Sequence, residues 1–422
     1  MKLKERIFGF ILLFVFLIVG LQILPSNMMY FRLIIGLTFG YVLSRSYTGF
    51  AGSVNRAYRT GSTKLMRTLM FMFVITSIAT AAFLVFAEDI TSYGLWINPI
   101  NLGLIVGGVL FGIGMALSSC CASGVMTDIV TDLPRAGVTL IFFGIGVFVG
   151  FPLQSTQSWV TTSLFTSETG KKFSQGVFLP DWFKWDGLNG YLGAIVLTMI
   201  FAGIVVYLSY RYEQSRINKG TYVGVPSERV QDRKETLDVK TFSLSNESTI
   251  NHVLTKPWTL QQGAFMLTIL FVILMAVTKS GWGASTPYGI WVGKLLTVFG
   301  VSADSLASFT HQAPETFTAS LLQNGVTVQN IGIMLGTLVF LLTSGQFKET
   351  VKSIPKLTMN GLAFYSLGGL LMGFGTRLSN GCNVGALYSP IAQFSLSGWI
   401  FLIALVAGGI LGNKLAKAVN LD

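Results

Sequence analysis

Long apolar runs separated by short polar stretches recur along nearly the whole chain. Ten of them are candidate membrane spans: Ile7–Leu24, Tyr30–Leu43, Leu69–Ala87, Leu102–Leu117, Gly137–Leu153, Tyr191–Tyr210, Leu260–Val277, Ile331–Leu342, Leu362–Gly375 and Gly398–Gly412. A crossing helix needs about 20 residues, so the shorter runs are either longer helices with polar ends or half-helices that do not cross. Between the sixth and seventh runs, Arg211–Lys256 is polar, with eight basic and six acidic residues. That stretch predicts a solvated linker between two halves. The expected organisation is an N-terminal membrane helix over 1–28, a first transmembrane repeat over 29–210, the linker over 211–257 and a second repeat over 258–422. The basic start Met1–Arg6 and the apolar run after it could belong to a signal peptide. The run is too long for one and has no small-x-small cleavage site, which predicts an uncleaved first helix.

Composition strengthens this reading. Of 422 residues, 51% are hydrophobic and only 11% charged, against about a quarter charged in soluble domains. The fold class expected is an all-α polytopic membrane protein, with the lipid bilayer as its solvent. The net charge of +11 is not a nucleic-acid footprint, because no basic run carries interleaved aromatics. If all ten runs cross and the N-terminus is inside, 22 Lys and Arg fall in inside segments and five in outside ones. That bias predicts a cell-membrane protein with both termini cytoplasmic. Three cysteines and two histidines, His252 and His311, far from the cysteines, offer neither a disulfide framework nor a metal site. No cofactor is expected.

An internal repeat is the sharpest signal. Gly107–Gly124 (GGVLFGIGMALSSCCASG) aligns without gaps on Gly368–Gly385 (GGLLMGFGTRLSNGCNVG) at an offset of 261, with nine of eighteen positions identical. The identities include Gly112/Gly373, Gly114/Gly375, Cys121/Cys382 and Gly124/Gly385. Five spans separate the copies, so they must run antiparallel. Inverted repeats of this kind build transporters whose site lies near the midplane, often on broken or re-entrant helices.

Each copy ends in a small-residue turn that can leave backbone N–H groups free. In a membrane such groups need protein, water or a ligand, and at a helix start they suit an anion. The turns are expected to enter from opposite faces and nearly meet, with Gly124 and Gly385 supplying conformational freedom. A thiol is a weak donor with a soft sulfur, which suits a small sulfur- or selenium-bearing anion at Cys121 and Cys382. The bland alternative is that both are apolar filler. Cys120 stands where the second copy has Gly381. Arg377, one turn before Cys382, attracts an anion or snorkels to the surface. Asn380, Asn383 and Gln393 are amide donors or turn caps. Arg45, with Ser46-Tyr47-Thr48-Gly49, starts another glycine turn or anchors the inner surface.

With these residues the chain resembles the YeeE/YedE family of sulfur-transport membrane proteins. The resemblance rests on Gly112-Ile-Gly114…Cys120-Cys121-Ala-Ser-Gly124 and Gly373-Phe-Gly375…Gly381-Cys382-Asn-Val-Gly385, and on the continuation from Pro390 to Trp399. It implies uptake of thiosulfate along an hourglass path lined by Cys121 and Cys382, with a cytoplasmic sulfur-accepting protein as a partner. The family often has a further cysteine after an Arg-Ser pair, where this chain has Gly49. A selenium species is therefore an alternative cargo. A membrane sulfurtransferase using a cysteine persulfide is the alternative of a different class. It would need an activating base, and no His or carboxylate adjoins either cysteine. The chain is therefore expected not to be an enzyme.

Overall fold

The apolar runs fold as helices whose ends are set by polar caps. The Asn101 side chain accepts from Leu104 N–H, the Thr358 side chain from Gly361 N–H, and Thr259 and Gln262 form a reciprocal capping box. The computed structural model describes residues 2–233 and 246–418. In chain order the elements that matter are α1 (Lys2–Ile23), α2 (Asn27–Ser46), α3 (Gly52–Thr60), α4 (Lys64–Leu84), α5 (Leu102–Ser118), α6 (Gly124–Thr131), α7 (Leu133–Thr156), α8 (Tyr191–Asn218), α9 (Leu260–Thr278), α10 (Thr286–Val298), α11 (Gly325–Ser344), α12 (Met359–Leu378) and α13 (Leu396–Ala418). Among the described residues there is no β-strand.

Among the described residues seven helices, α1, α4, α7, α8, α9, α11 and α13, are long and apolar enough to cross a membrane. The other three expected spans are α2, α5 and α12. At 17 residues, α5 is about 25 Å long, while α2 carries Arg32 and Arg45, and α12 carries Arg377. Protein surrounds much of these helices, so they need less apolar length than a lipid-facing helix. The half-helices fall where the hydrophobic pattern gave no signal. They are α3, α6, α10, and the π-helical turn Asn383–Tyr388 that continues into Ser389–Ala392.

Glycines fix how the helices cross. A Cβ on Gly107 would lie 2.6 Å from Gly375 O, and one on Gly368 would lie 2.8 Å from Gly114 O. Thus α5 and α12 run antiparallel, backbone on backbone. Gly112 seats α5 against Leu405–Gly409 of α13, running parallel, and Gly373 seats α12 against Phe143–Val147 of α7, also parallel. Around this centre α2 packs on α11, α4 on α9, α1 on α11 and α8 on α4. The ends of α2, α5, α8, α11 and α13 gather on one face with Arg56, Arg59 and Lys64, termed the basic face.

The linker is only partly a free connector. Pro226–Gln231 is helical and docks on the basic face, with the Glu228 carboxylate taking Arg56 (3.1 Å) and the Ser62 hydroxyl (2.6 Å). Gln231 Nε2 donates to Ser46 O and to Trp258 O, each at 2.7 Å. The rest of the expected linker over 234–245 lies outside the described residues.

Candidate functional site

Both copies of the motif break their helix in the same way. After α5, Ser119 adopts the left-handed conformation (φ 56°), and after α12 its aligned partner Asn380 does so (φ 58°). A non-glycine residue there is strained by roughly 1–2 kcal/mol, and the chain turns sharply with its next N–H groups released. Gly124 and Gly385 do not hold left-handed positions, contrary to the expectation from sequence. They provide room. A Cβ on Gly124 would sit 3.3 Å from the Cys121 sulfur, and one on Gly385 would strike the Trp96 ring. Gly381 lies against the Gly385 backbone.

The released donors converge on sulfur. Cys121 Sγ lies 3.6 Å from Ser123 Oγ with the N–H groups of Gly124 and Ala51 turned toward it, and the N–H groups of Val384 and Gly385 and the Ser285 hydroxyl turn toward Cys382 Sγ. Ala51 leads into α3 and Ser285 into α10, so each thiol faces the start of its own half's other short helix. These short helices follow a second matched pair of left-handed residues, Tyr47 (φ 51°) and Lys279 (φ 53°). Sequence reading named the first turn and missed its counterpart. Ser46-Tyr47-Thr48-Gly49-Phe50 and Thr278-Lys279-Ser280-Gly281-Trp282 share only the glycine as an identity. The available signal was the order hydroxyl, large residue, hydroxyl, glycine, aromatic.

The segments around the two cysteine turns interlock. Tyr288 of α10 donates its hydroxyl to Ala122 O, next to Cys121, at 2.6 Å. Asn383 Nδ2 reaches Met115 Sδ of α5 at 3.3 Å, and its buried Oδ1 has no partner among the described residues. Beside them lies a dry aromatic cluster. Trp282 stacks on Phe39 at 4.0 Å, and Tyr388 meets Phe271 at 4.8 Å and Phe73 at 5.6 Å. Gln393 takes no part at the cysteines. Its Oε1 accepts from Trp96 N–H and pins that loop.

Charge is distributed unevenly. Arg377 is 3% exposed, so it does not snorkel. Its guanidinium donates to Ser285 Oγ (3.0 Å), Thr286 Oγ1 (3.2 Å), Gln154 Oε1 (3.3 Å) and Thr376 Oγ1 (3.3 Å), all neutral oxygens. Arg135, which sequence reading counted only as an inside charge, is balanced by Asp128 (3.1 Å) and Asp132 (2.7 Å) and also caps the Ser118 and Ser119 carbonyls. A cavity of about 500 Å3 on the basic face is lined by Ser119, Cys120, Cys121, Gly124, Asp128 and Arg56, among others. Cys120 points its thiol at Ser118 Oγ (3.7 Å). Arg45 is buried away from the cysteines, donating to Val253 O and Lys256 O and stacking over Trp258 at 4.6 Å. It ties the linker's end to α2.

Comparison with known proteins places this site in context. The chain is 25% identical over 386 residues to the thiosulfate transporter TsuA of Spirochaeta thermophila, covering 90% of this chain and 97% of that one. It is 21% identical over 376 residues to TsuA of Escherichia coli, covering 89% and 91%. Against the probable transporter YedE of Escherichia coli it is 28% identical over 161 residues, 38% of either chain. Residues 45–411 match the sulphur transport family. That span holds both glycine–cysteine motifs and both of the turns that face them, and the chain belongs to the sulphur transport family.

Proposed function

We propose that this membrane protein imports thiosulfate or a closely related sulfur-containing anion through a constriction formed where the two cysteine turns approach each other. The observation that carries the reading is the convergence of N–H and O–H donors on Cys121 and Cys382, with Tyr288 bridging the halves. A passing oxoanion exchanges part of its hydration for these donors, and the thiols meet its terminal sulfur. Neither thiol is paired with a fixed charge tight enough to trap it, as conduction requires. The TsuA relatives, aligned along nearly their whole length, support the choice of cargo.

Two inverted halves account for the packing. The crossings Gly107–Gly375 and Gly114–Gly368 exchange under the motif alignment, and so do the pairs α5–α13 and α12–α7. The same exchange matches α1 on α11 with α8 on α4. On this pattern α1 belongs to the first half and α8 to the second, so the halves divide within 157–190. The basic face is cytoplasmic, both termini lie there, and the large cavity is the exit. A cytoplasmic sulfur-accepting protein collects the anion at that cavity. Transport is favoured over sulfurtransfer because hydroxyl and N–H donors surround the thiols where an enzyme would place a base.

Growth of a sulfur-auxotrophic host on thiosulfate as sole sulfur source tests this reading. Cys121→Ala and Cys382→Ala are each expected to cut growth-supporting uptake at least tenfold at equal expression. Equal growth of all three proteins removes the cysteines from the mechanism. A stable persulfide on the purified protein after exposure to thiosulfate, without flux, replaces transport with sulfurtransfer.

A further inference from the structure

On the face opposite the basic one lies a second cavity, of about 240 Å3, lined by Gln154, Thr161, Ser174, Gln175 and Asn380 with Pro99, Val160 and Phe173. It is large enough for a small hydrated oxoanion. Gln154 and Asn380 both belong to its wall, and one residue joins the cavity to the buried cation behind it. Gln154 Nε2 donates to Asn380 Oδ1 at 2.7 Å, and Gln154 Oε1 accepts from Arg377 Nη1 at 3.3 Å. Arg377 in turn holds Ser285 (3.0 Å), whose hydroxyl reaches Cys382. The order from the cavity inward is Asn380 and Gln154, Arg377, Ser285, Cys382.

Two features give this order a function. First, no carboxylate among the described residues pairs with Arg377 in an ion pair, so its charge is offset only by neutral oxygens. A doubly charged oxoanion is a far better acceptor for a guanidinium than an amide carbonyl, because it adds opposite-charge attraction and two-point, fork-shaped geometry to the hydrogen bond. Second, the matched turn on the basic face is not closed in this way. Ser119, aligned with Asn380, is exposed in the large cavity, whereas Asn380 is half-buried and tied to Gln154. One end of the path is open up to its cysteine turn and the other is latched.

We propose that Gln154 is the latch of the entrance opposite the basic face, occupying Arg377 and holding the Asn380 turn until a small dianionic oxoanion in the outer cavity takes Arg377 in its place. This rests on the transport reading for its cargo, but the latch itself is defined by access to Cys382. Gln154→Glu puts a carboxylate of the same shape beside Arg377 and locks the latch by an ion pair, with the Asn380 amide turned so that its Nδ2 donates to the second carboxylate oxygen. Gln154→Ala removes it, and Gln154→Asn, too short to span both partners, behaves like the alanine.

The test is conversion of Cys382 to a mixed disulfide by an anionic, membrane-impermeant methanethiosulfonate reagent added from outside to intact cells, with methanesulfinate leaving and the adduct kept under non-reducing conditions. The Cys382 peptide is quantified by mass spectrometry, which separates it from Cys120 and Cys121. Labelling is expected to be at least fivefold faster than wild type in Gln154→Ala and Gln154→Asn, and at least fivefold slower in Gln154→Glu. In the same cells the KM for thiosulfate rises at least tenfold in Gln154→Glu. Labelling rates within twofold across all variants overturn the latch, as do alanine and glutamate variants that shift in the same direction. Absence of thiosulfate uptake by the wild type defeats the proposed cargo, while the labelling order still decides the latch.

Discussion

Gly107 faces the backbone of α12 so closely that a single methyl group there has a calculable consequence. A Cβ at this position would lie 2.6 Å from Gly375 O, 2.7 Å from Ser379 N and 2.9 Å from Leu378 Cβ. Ordinary contact begins at 3.4 Å, so α5 and α12 must part by about 0.8 Å. Two of the three opposing atoms are backbone and have no rotamer to yield. Overpacking of this kind costs about 1–3 kcal/mol, and the better helix propensity of alanine returns about 1 kcal/mol. Gly203 on α8 is the control, with nothing within 4 Å of its added Cβ. There the propensity gain stands alone, so Gly107→Ala should be less stable than Gly203→Ala by the overpacking cost, about 1–3 kcal/mol. Gly375→Ala meets the same crossing from the other side, 2.7 Å from Gly107 O. One separation serves both methyl groups, so the double variant should lose at least about 1 kcal/mol less than the sum of the singles. Denaturant unfolding in mixed micelles measures all four proteins. Stabilities of Gly107→Ala and Gly203→Ala within about 0.5 kcal/mol of each other would refute the close backbone crossing.

Two further outcomes follow from charges on the basic face. Glu228→Ala leaves Arg56 without its partner and Ser62 without its acceptor, so Pro226–Gln231 should lift from the face and trypsin should cut after Arg229 and Arg233 at least threefold faster; unchanged cleavage would show that the ion pair does not hold this segment. Asp128→Asn keeps an oxygen for Arg135 but removes one negative charge from the exit. A unit charge about 10 Å from a dianion in a medium of effective dielectric about 20 is worth about 3.3 kcal/mol, so release should slow and maximal uptake fall at least about tenfold, and an unchanged maximal rate in reconstituted vesicles would contradict that role.

What could be read from the sequence follows from which residues keep their identity and which keep only their role. The α5 and α12 motifs are legible because backbone-to-backbone crossings tolerate only glycine, so Gly107, Gly112, Gly114 and their partners recur as letters. The second pair of turns keeps its geometry with Tyr47 exchanged for Lys279 and Phe50 for Trp282, and sequence identity fades accordingly. Apolar periodicity cannot find α3, which carries Arg56 and Arg59, or α10, which is interrupted by Pro287, Gly289, Gly293 and Lys294. Protein shelters α3 in part and the first half of α10, while Leu295 and Val298 at the far end of α10 are exposed. The partnership of Gln154 with Arg377 spans 223 positions, and each side chain alone has no pattern around it. Only the packing of α7 along α12 brings them together. The glycines of the cysteine turns were assigned conformational freedom, whereas the strained positions belong to Ser119 and Asn380, whose backbones are held by the helices they end.

The cysteine turns are near copies, yet their electrical surroundings differ, and under the transport proposed above that difference gives the path a direction. Near Cys382 the fixed charge is one guanidinium offset by neutral oxygens, desolvated and so expensive to leave uncompensated. Around Cys120 and Cys121 the fixed charges are Arg135 with Asp128 and Asp132, and Arg56 with Glu228, which together sum to one negative charge. In the proposed uptake an anion entering from the face opposite the basic one meets attraction first, where capture from dilute solution is required. It meets mild repulsion last, where it must be given up. Two equal positive sites would bind more tightly and pass cargo more slowly, since release would then oppose the same attraction that drew the anion in. The thiols fit between these fields because they carry no permanent charge of their own. With N–H groups already aimed at each sulfur, they offer an anion polarizable contact and weak donation at a point where a full charge would trap it.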